Sequence, residues 1–437
     1  MIELKKSDTI PTVDQTLSIL RAHNSMCPLY FDLDMILYRY SDLTLRVNKI
    51  QKQLKEQFGL QGGPTDVGKY IKSLAVKSEL TGVFNQTATG GISLDKASIS
   101  KAASVEGMPK EFITLLNLYS DYAASTKKQT TLASYAVYPI SKKLSNQGHR
   151  MVEATPTWEP QVTGRIAMRN PAIQNMDRSL QDLHTAPEGS VFLHCDSSQV
   201  DPRCAAHIIL QDPQINKLIE VQGDAYMAFY RYCMLPKSVI ASGTLDFEYE
   251  EPTPEALEMR PALKAETNGV IYGKSAPTVS DPVVQEYYSR IGNHRNMLKW
   301  RDYVLGRIRS GNYTVSAYFG TQLNILDSDK LKNENPSYFE KECIKLATNY
   351  TIQGTAAELM RYSVLYAHNL LKKTKNSYIN FYVHDAGYFI ISEDELDLVA
   401  KPLQDCVSYK VDDALYIPSE YDYGAPLRIP GLERAPR

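Results

Sequence analysis

Apolar positions in this chain keep two rhythms, and the places where one gives way to the other hold its most unusual polar residues. From Leu43 the set Leu45, Val47, Ile50, Leu54 and Phe58 has helical spacing, interleaved with Lys49, Lys52 and Lys55. It stops at Gly59 and the turn Gly62, Gly63, Pro64, so a helix is predicted up to that point. A second helix is predicted from Glu111 to Tyr122, leading to Lys127 and Lys128. Such spacing reports burial first, whatever else the helices do. Further on, Val191, Phe192 and Leu193 form an apolar run that Asp196 closes, and Asp385 sits between two aromatic, β-branched stretches. Each of these carboxylates is expected at a strand end.

Between the two aspartates, Arg260, Lys264, Asn268 and Tyr272 recur every fourth residue. At about 100° per residue that spacing keeps them on one slowly drifting helical stripe. Cations come first and the aromatic last. That order suits a nucleotide, with its triphosphate near Arg260 and Lys264 and its sugar and base near Tyr272. Pro261 is expected in the first helical turn, where its missing N–H is no loss. Pro202 just past Asp201 also admits Asp201 as a helix N-cap, with Pro at the first helical position, a role that can coexist with facing the same cleft. Two strand-end carboxylates can hold two hard cations, and a paired Mg²⁺ site activates an attacking oxygen and stabilises a leaving one in phosphoryl displacement.

Composition adds little to this picture. Apolar residues at 43% and charged residues at 22% are ordinary for a globular protein. The unusual figure is 29 Tyr against 11 Phe; such rings can stack on bases, although spacing singles out Tyr272 alone. A net charge of −2 does not announce a nucleic-acid binder. Charge is uneven, however. From 127 to 178 the cations Lys127, Lys128, Lys142, Lys143, Arg150, Arg165, Arg169 and Arg178 face only Glu153, Glu159 and Asp177, an excess that would gain from counterion release on a duplex. Cys27, Cys195, Cys204, Cys233, Cys343 and Cys406 lack zinc or CxxC spacing and read as reduced thiols. The first residues, MIELKKSDTIPTVDQ, have no apolar signal core, and no run reaches the roughly 18 residues of a membrane span. The cytoplasm of a bacterial or phage-infected cell is the expected location.

Five blocks follow one another along the chain: TGRIAMRNPAIQN at 163 to 175, HCDSSQVDPR at 194 to 203, RPALKAETNGVIYGKS at 260 to 275, NYTIQGTAAE at 349 to 358 and YVHDAGYFI at 382 to 390. In these blocks the chain resembles the DNA polymerase I family, family A, and its phage branch more than its bacterial one. Motif A corresponds to DSSQVDPR, motif B to RPALKAETNGVIYG and motif C to VHDA. The resemblance implies an α+β, right-hand polymerase with an antiparallel-sheet palm and helical fingers and thumb. Its order implies a leader at 1–39, thumb at 40–145, palm at 146–215, fingers at 216–334 and the rest of the palm at 335–437.

Carried over residue by residue, the resemblance implies that Asp196 and Asp385 bind two Mg²⁺ ions, for which Mn²⁺ can substitute, with the carbonyl of Ser197 as a further ligand. Arg260 and Lys264 would grip the triphosphate, Lys264 with a catalytic role, and Tyr272 would close over the nascent pair. Gly269 and Gly273 would allow close approach of neighbouring backbone or strand. Asp201 and Asn268 would line the sugar pocket. Arg165 and Gln353 would read the minor-groove edge of the primer-terminal pair, whose acceptors are shared by all correct pairs. Gln174, Asn175, Lys345, Asn349 and His384 fall on neighbouring DNA-contact positions, and Lys127 and Lys128 on the duplex-contacting part of the thumb. The implied partners are primer-template DNA, dNTPs and a separate exonuclease or processivity factor.

This chain departs from the family's pattern at several places. Asp201 stands where the family carries Glu, Asn268 where it carries Phe or Tyr, and Ala386 where it carries Glu. Ala172 and Lys345 replace an Asn and an Arg common in bacterial members. The Asp32 and Asp34 pair in FDLDM echoes a first exonuclease motif, yet the room ahead of the expected thumb suits a structural strand or turn, and no proofreading is expected of this chain. The expected function is template-directed DNA synthesis for phage replication. The alternatives are a single-subunit RNA polymerase-like enzyme, against which TGR and QGTAAE speak, and an inactive DNA-binding accessory subunit, against which the retained Asp196, Asp385, Arg260, Lys264 and Tyr272 speak.

Overall fold

The computed structural model describes residues 1–87, 90–273, 282–328, 331, 336–412 and 414–424. Lys274 and Ser275 at the end of the block 260–275, the side chain of Arg178, and residues 425–437 lie outside that description. The chain divides into two compact units, one of Met1–Leu29, Thr155–Met176 and Gly189–Arg437, the other of Tyr30–Ala154 and Asp177–Glu188. The stretch 40–145 lies inside the second unit, and 1–39 is divided between the two.

The second unit is built on helices α2 (Leu33–Phe58), α3 (Pro64–Lys77), α4 (Lys96–Ala103) and α5 (Lys110–Ala136). The predicted helix ending at Phe58 is α2, and its buried stripe starts earlier than expected, at Leu33 and Ile36. Asp32 caps it by accepting the Met35 N–H, and Gly59, at φ 67°, ends it in the left-handed region. Val47, Ile50 and Leu54 of α2 share a core with Ile71 of α3 and Leu115 and Leu116 of α5. Lys127 and Lys128 fall within α5, which runs on past the predicted Tyr122. Strands β2 (Leu29–Asp32), β4 (Arg150–Ala154) and β3 (Ile140–Leu144), in that order, complete the unit.

Among the described residues the first unit holds the remaining strands in four sheets. Parallel pairing of β1 (Ile2–Leu4) with β12 (Tyr409–Val411) and antiparallel β13 (Leu415–Ile417) make one sheet. Two hairpins, β5 (Thr157–Pro160) with β6 (Ile166–Arg169) and β8 (Thr314–Ser316) with β9 (Gln322–Asn324), make two more. The central sheet is antiparallel, in the order β10 (Tyr378–Val383), β11 (Ala386–Ser392), β7 (Ser190–Ser197), β14 (Ser419–Gly424). In β7, Phe192, Leu193 and Cys195 are all buried, so both faces of this strand are covered, which is why its apolar run does not alternate.

Helices α1 (Val13–Met26), α6 (Val200–Ala205), α7 (Pro213–Gln222), α8 (Ala225–Met234), α9 (Lys237–Ser242), α10 (Pro254–Ile271), α11 (Pro282–Tyr287), α12 (Arg295–Arg309), α13 (Pro336–Leu371) and α14 (Leu396–Asp405) belong to the same unit. Their core joins Cys204, Ile215, Phe229, Leu263 and Ile271 to Ile352, Leu359 and Tyr409. Long α13 is apolar on several faces, as befits a helix enclosed by neighbours. All six cysteines are buried thiols. Among the described residues no helix is long and apolar enough to cross a membrane. The expected α+β class is what the chain adopts.

Two local expectations need correction. Helix α10 begins at Pro254 behind the cap Thr253, so Pro254 takes the first-turn role and Pro261 lies in the interior. Its ring forgoes a bond to the Leu257 carbonyl, on a side of the helix where Leu257 is exposed to water. Asp201 is not an N-cap. Gln199, at φ 56°, precedes α6 without a side-chain cap bond, and Asp201 stands inside the first turn with its carboxylate turned elsewhere.

Candidate active site

The C-terminal end of β7 carries Asp196 and Ser197, and the two-residue turn between β10 and β11 carries His384 and Asp385. His384 takes φ 55°, a conformation that His, Asn and Asp tolerate better than other side chains. Strands β7 and β11 run antiparallel with Asp196 opposite Ala386. The Ser197 N–H donates to the Asp385 carbonyl at 3.2 Å, tying the two aspartate-bearing segments together through backbone. The Ser197 hydroxyl turns inward and donates to the Val407 carbonyl at 2.7 Å.

Both carboxyls titrate above their ordinary range. The Asp196 side chain is exposed at the end of its strand, with protein crowded around its carboxyl. That desolvation first, then the charge of Glu420, pushes it up to about 6, while Lys264 and the Ser197 N–H pull it down. Asp385 is raised further by desolvation, held back by Arg165, and raised again by Asp201 and Asp196. Its Oδ1 is buried without a hydrogen bond, with the Arg165 Nη2 at 3.7 Å. An orphaned anionic oxygen in a water-poor setting suits a hard cation. Among the described residues no three His, Cys, Asp or Glu side chains converge closely enough to hold a metal alone. The fitting ions are therefore those that bind one or two carboxylates and complete their shell with carbonyl, water and phosphate oxygens, as Mg²⁺ does.

Arg165 is placed by the turn between β5 and β6. Buried Arg361 of α13 donates to the Gly164 carbonyl at 3.1 Å and to the Pro11 carbonyl at 2.9 Å, fixing that turn. A Cβ on Gly164, at φ 77°, would come 2.9 Å from Arg361 Nη1, so the turn needs glycine. Arg165 then reaches Asp201 Oδ1 at 3.3 Å as well as Asp385. The Tyr272 hydroxyl donates to Asp201 Oδ2 at 2.6 Å, and Gln353 of α13 bonds the same hydroxyl. Asp201, Tyr272, Arg165, Gln353 and Asp385 thus form one connected group.

The stripe on α10 faces α8. Arg260 pairs with Asp224 at 2.6 Å, and Arg260 and Lys264 lie 5.6 and 6.0 Å from the Tyr226 ring centroid. Asn268 bonds Tyr226, while its own Oδ1 is buried without a partner. Lys264 is exposed and close enough to lower the Asp196 titration. Sequence reasoning missed Asp224 and Tyr226, because nothing in their local pattern tells which helix α10 packs against.

The remaining candidates are more dispersed. The Gln174 amide donates to the Met168 carbonyl at 2.8 Å, Asn175 is exposed, and Asn349 is half-buried on α13. Lys345 pairs with Glu342 at 3.0 Å. It also lies beside Gly273, where a Cβ at φ 80° would come 3.2 Å from its Cγ. His384 is exposed, and its titration is lowered by desolvation first and then by Arg165. Lys127 and Lys128 lie on α5 in the other unit, where Lys128 bonds Ser179 at 2.8 Å and pairs with Asp177 at 3.5 Å. Asp32 and Asp34 are engaged there too, with His149 and Arg150.

The family described as DNA polymerase family A matches residues 39–426. DNA polymerase I of Aquifex aeolicus is 26% identical over 316 residues, covering 69% of this chain and 47% of that protein. DNA polymerase I of Pseudomonas aeruginosa is 21% identical over 374 residues, covering 81% of this chain and 37% of that one. The chain thus spans less than half the length of either relative. In fold it is similar to the POL domain of Pol1 from M. smegmatis, solved in complex with DNA primer-template and dNTP. The TM-score there is 0.71 at 18% identity, with 95% of this chain and 71% of that one covered.

Proposed function

Because the chain belongs to DNA polymerase family A, we propose that it is a template-directed DNA polymerase that extends a primer 3′ end with dNTPs. The observation that carries this reading is the junction of Asp196 and Asp385, two carboxyls raised by desolvation and joined through the Ser197 N–H, with Lys264 acting on Asp196 from α10. Bound at Asp196, Asp385 and the Ser197 carbonyl, two Mg²⁺ ions would supply an activated 3′ oxygen and a stabilised leaving oxygen. Lys264 and Arg260 orient the triphosphate, and Arg260 must exchange Asp224 for it. Tyr272, released from Asp201, covers the incoming base. Arg165 and Gln353 check the primer-terminal pair from its minor-groove edge. Gln174, Asn175, Asn349, Lys345 and His384 follow the template and primer, and Lys127 and Lys128 the duplex.

In the same reading, 40–145 is the thumb, 146–215 and 335–437 the palm and 216–334 the fingers. The work is phage DNA replication in the cytoplasm of a bacterial cell, and Asp32 and Asp34, engaged by His149 and Arg150, take no part in it. Primer extension with all four dNTPs and Mg²⁺, wild type against Asp385→Ala, is the test. Template-dependent extension by the wild type and its loss in the variant are expected. Extension with rNTPs from a promoter instead, or none under any condition, would overturn the reading.

A further inference from the structure

Strand β7 has a partner on each side, and the register places Ala386 of β11 and Glu420 of β14 directly opposite the same residue, Asp196. Residues directly opposite in antiparallel strands point to one face, with Cβ atoms about 4.5–5.5 Å apart. Ala386, Asp196 and Glu420 therefore form one row across the sheet, on the face where Asp196 meets solvent. The three members differ in kind. Ala386 brings a methyl group, and Glu420 brings an exposed carboxylate.

Like charges directly opposite are unfavourable, so a glutamate facing an aspartate at a strand end costs stability unless something shares the charge. The backbone holds the pair in place. The Ser198 N–H donates to the Pro418 carbonyl at 2.8 Å, which fixes the start of β14 against the end of β7. The sequence offers no cue to the pair, because only the register of β14 on β7 creates it.

We propose that Glu420 is a third carboxylate of the cation site, acting on the Asp196 side from β14. This deepens the proposed function and rests on it. No three acidic side chains among the described residues converge closely enough to cage an ion, so Glu420 acts through a water of the ion's shell and not as a direct ligand. It is a positioning residue. It adds negative charge where a cation must be captured, and it accepts a hydrogen bond from a cation-bound water. The methyl group of Ala386 across the strand can do neither.

The test reads cation binding directly. Free Mn²⁺ is followed by electron paramagnetic resonance as it is titrated into the full chain, for wild type, Glu420→Gln, Glu420→Lys and Asp196→Asn. Glu420 is exposed, so the first two variants keep the fold, which a melting curve verifies. Glu420→Gln should weaken Mn²⁺ binding about tenfold, as loss of a partner behind a metal ligand commonly does, and Glu420→Lys should weaken it more. Both variants binding within twofold of wild type, while Asp196→Asn loses the ion, would overturn this inference and leave the proposed function standing. Equal binding by wild type and Asp196→Asn would mean that the strand end holds no cation, which overturns both.

Discussion

The chain carries two pairs of aspartates that look alike as text, one at the head of α2 and one at the ends of β7 and β10. Asp32 caps a helix and accepts a 2.5 Å bond from His149 Nδ1, and Asp34 takes three donors from Arg150. Hydrogen bonding from the Arg150 side chain, first among several causes, holds the Asp34 carboxyl below the usual carboxylate range. Asp196 and Asp385 are shifted the other way, by desolvation, and Asp385 keeps an unbonded buried oxygen. A fold that satisfies a carboxylate internally has used it. A fold that leaves one raised and short of hydrogen bonds holds charge in reserve for something it binds, and perturbed groups of this kind collect at functional sites.

The largest expected effects come from erasing that reserve. Asp196→Asn or Asp385→Asn should lower primer extension by at least about 10² to 10³, the usual cost of losing one electrostatic stabiliser of a transition state. Binding of primer-template in a gel shift should survive. Asp34→Asn should leave the extension rate alone, and wild-type protein given a mismatched primer and Mg²⁺ should not shorten it. Near-normal extension by either strand-end variant would erase the contrast between the pairs. So would primer shortening that vanishes in an Asp32→Ala, Asp34→Ala double variant.

Lys264→Ala ranks next. Removing one charge-assisted contact to the triphosphate, worth about 1.5–3 kcal/mol, should lower kcat/KM for dNTP roughly 10- to 100-fold, with duplex affinity unchanged. A fall in duplex affinity with unchanged nucleotide kinetics would assign α10 to the wrong ligand.

How far these contrasts could be read in advance depends on their range along the chain. The strand end at Asp196, the turn at Asp385 and the stripe from Arg260 to Tyr272 are local, and period and punctuation disclose them. Pro261 misled because a rule about first turns was met one step earlier, by Pro254 behind Thr253. Asp201 misled in a similar way. Its neighbour Pro202 suggested a cap, but Arg165 and Tyr272 compete for the carboxylate, and neither pairing is encoded near it. Asp224 under Arg260 and Glu420 beside Asp196 are products of packing and register, which no window of sequence contains.

A smaller effect concerns the sugar pocket. Asp201 is shorter by one methylene than glutamate and is tied to Tyr272, so the wall it forms stands back by about 1 Å, enough to forfeit part of a contact well. Asp201→Glu should raise the dNTP over rNTP preference in kcat/KM. Asn268→Tyr, which replaces an amide whose Oδ1 is buried and unbonded, should change acceptance of 3′-deoxy terminators. Unchanged ratios in both variants would remove these residues from the sugar pocket and leave the contrast between the aspartate pairs intact.

The smallest effect is the sharpest test of that contrast, because one member of each pair, Asp34 and Asp196, should respond to pH with opposite signs. Unfolded, an aspartate titrates near 3.9. Asp34 titrates lower than that in the fold, so its ionised form stabilises the protein above about pH 4, and the gain is lost as pH falls through the folded value. Asp196 titrates higher, at about 6, so the folded state holds its proton more tightly, and stability is lost as pH rises through that value. In metal-free buffer at pH 8, Asp34→Asn should therefore lower the melting temperature and Asp196→Asn should raise it. Each shift is on the order of 1–2 °C, since both side chains meet solvent and screening discounts them. The Asp196→Asn difference should close below about pH 4, where that carboxyl is protonated in either state, whereas the Asp34→Asn difference should close only at lower pH, below the depressed value at which folded Asp34 takes up its proton. Adding Mg²⁺ at pH 8 should stabilise the wild type and Asp34→Asn alike by mass action, while Asp196→Asn gains less, so its advantage shrinks or inverts. Shifts of the same sign for the two substitutions, or an Asp196→Asn advantage that ignores Mg²⁺, would mean that the strand-end carboxylate is as fully engaged by the fold as the one at the head of α2.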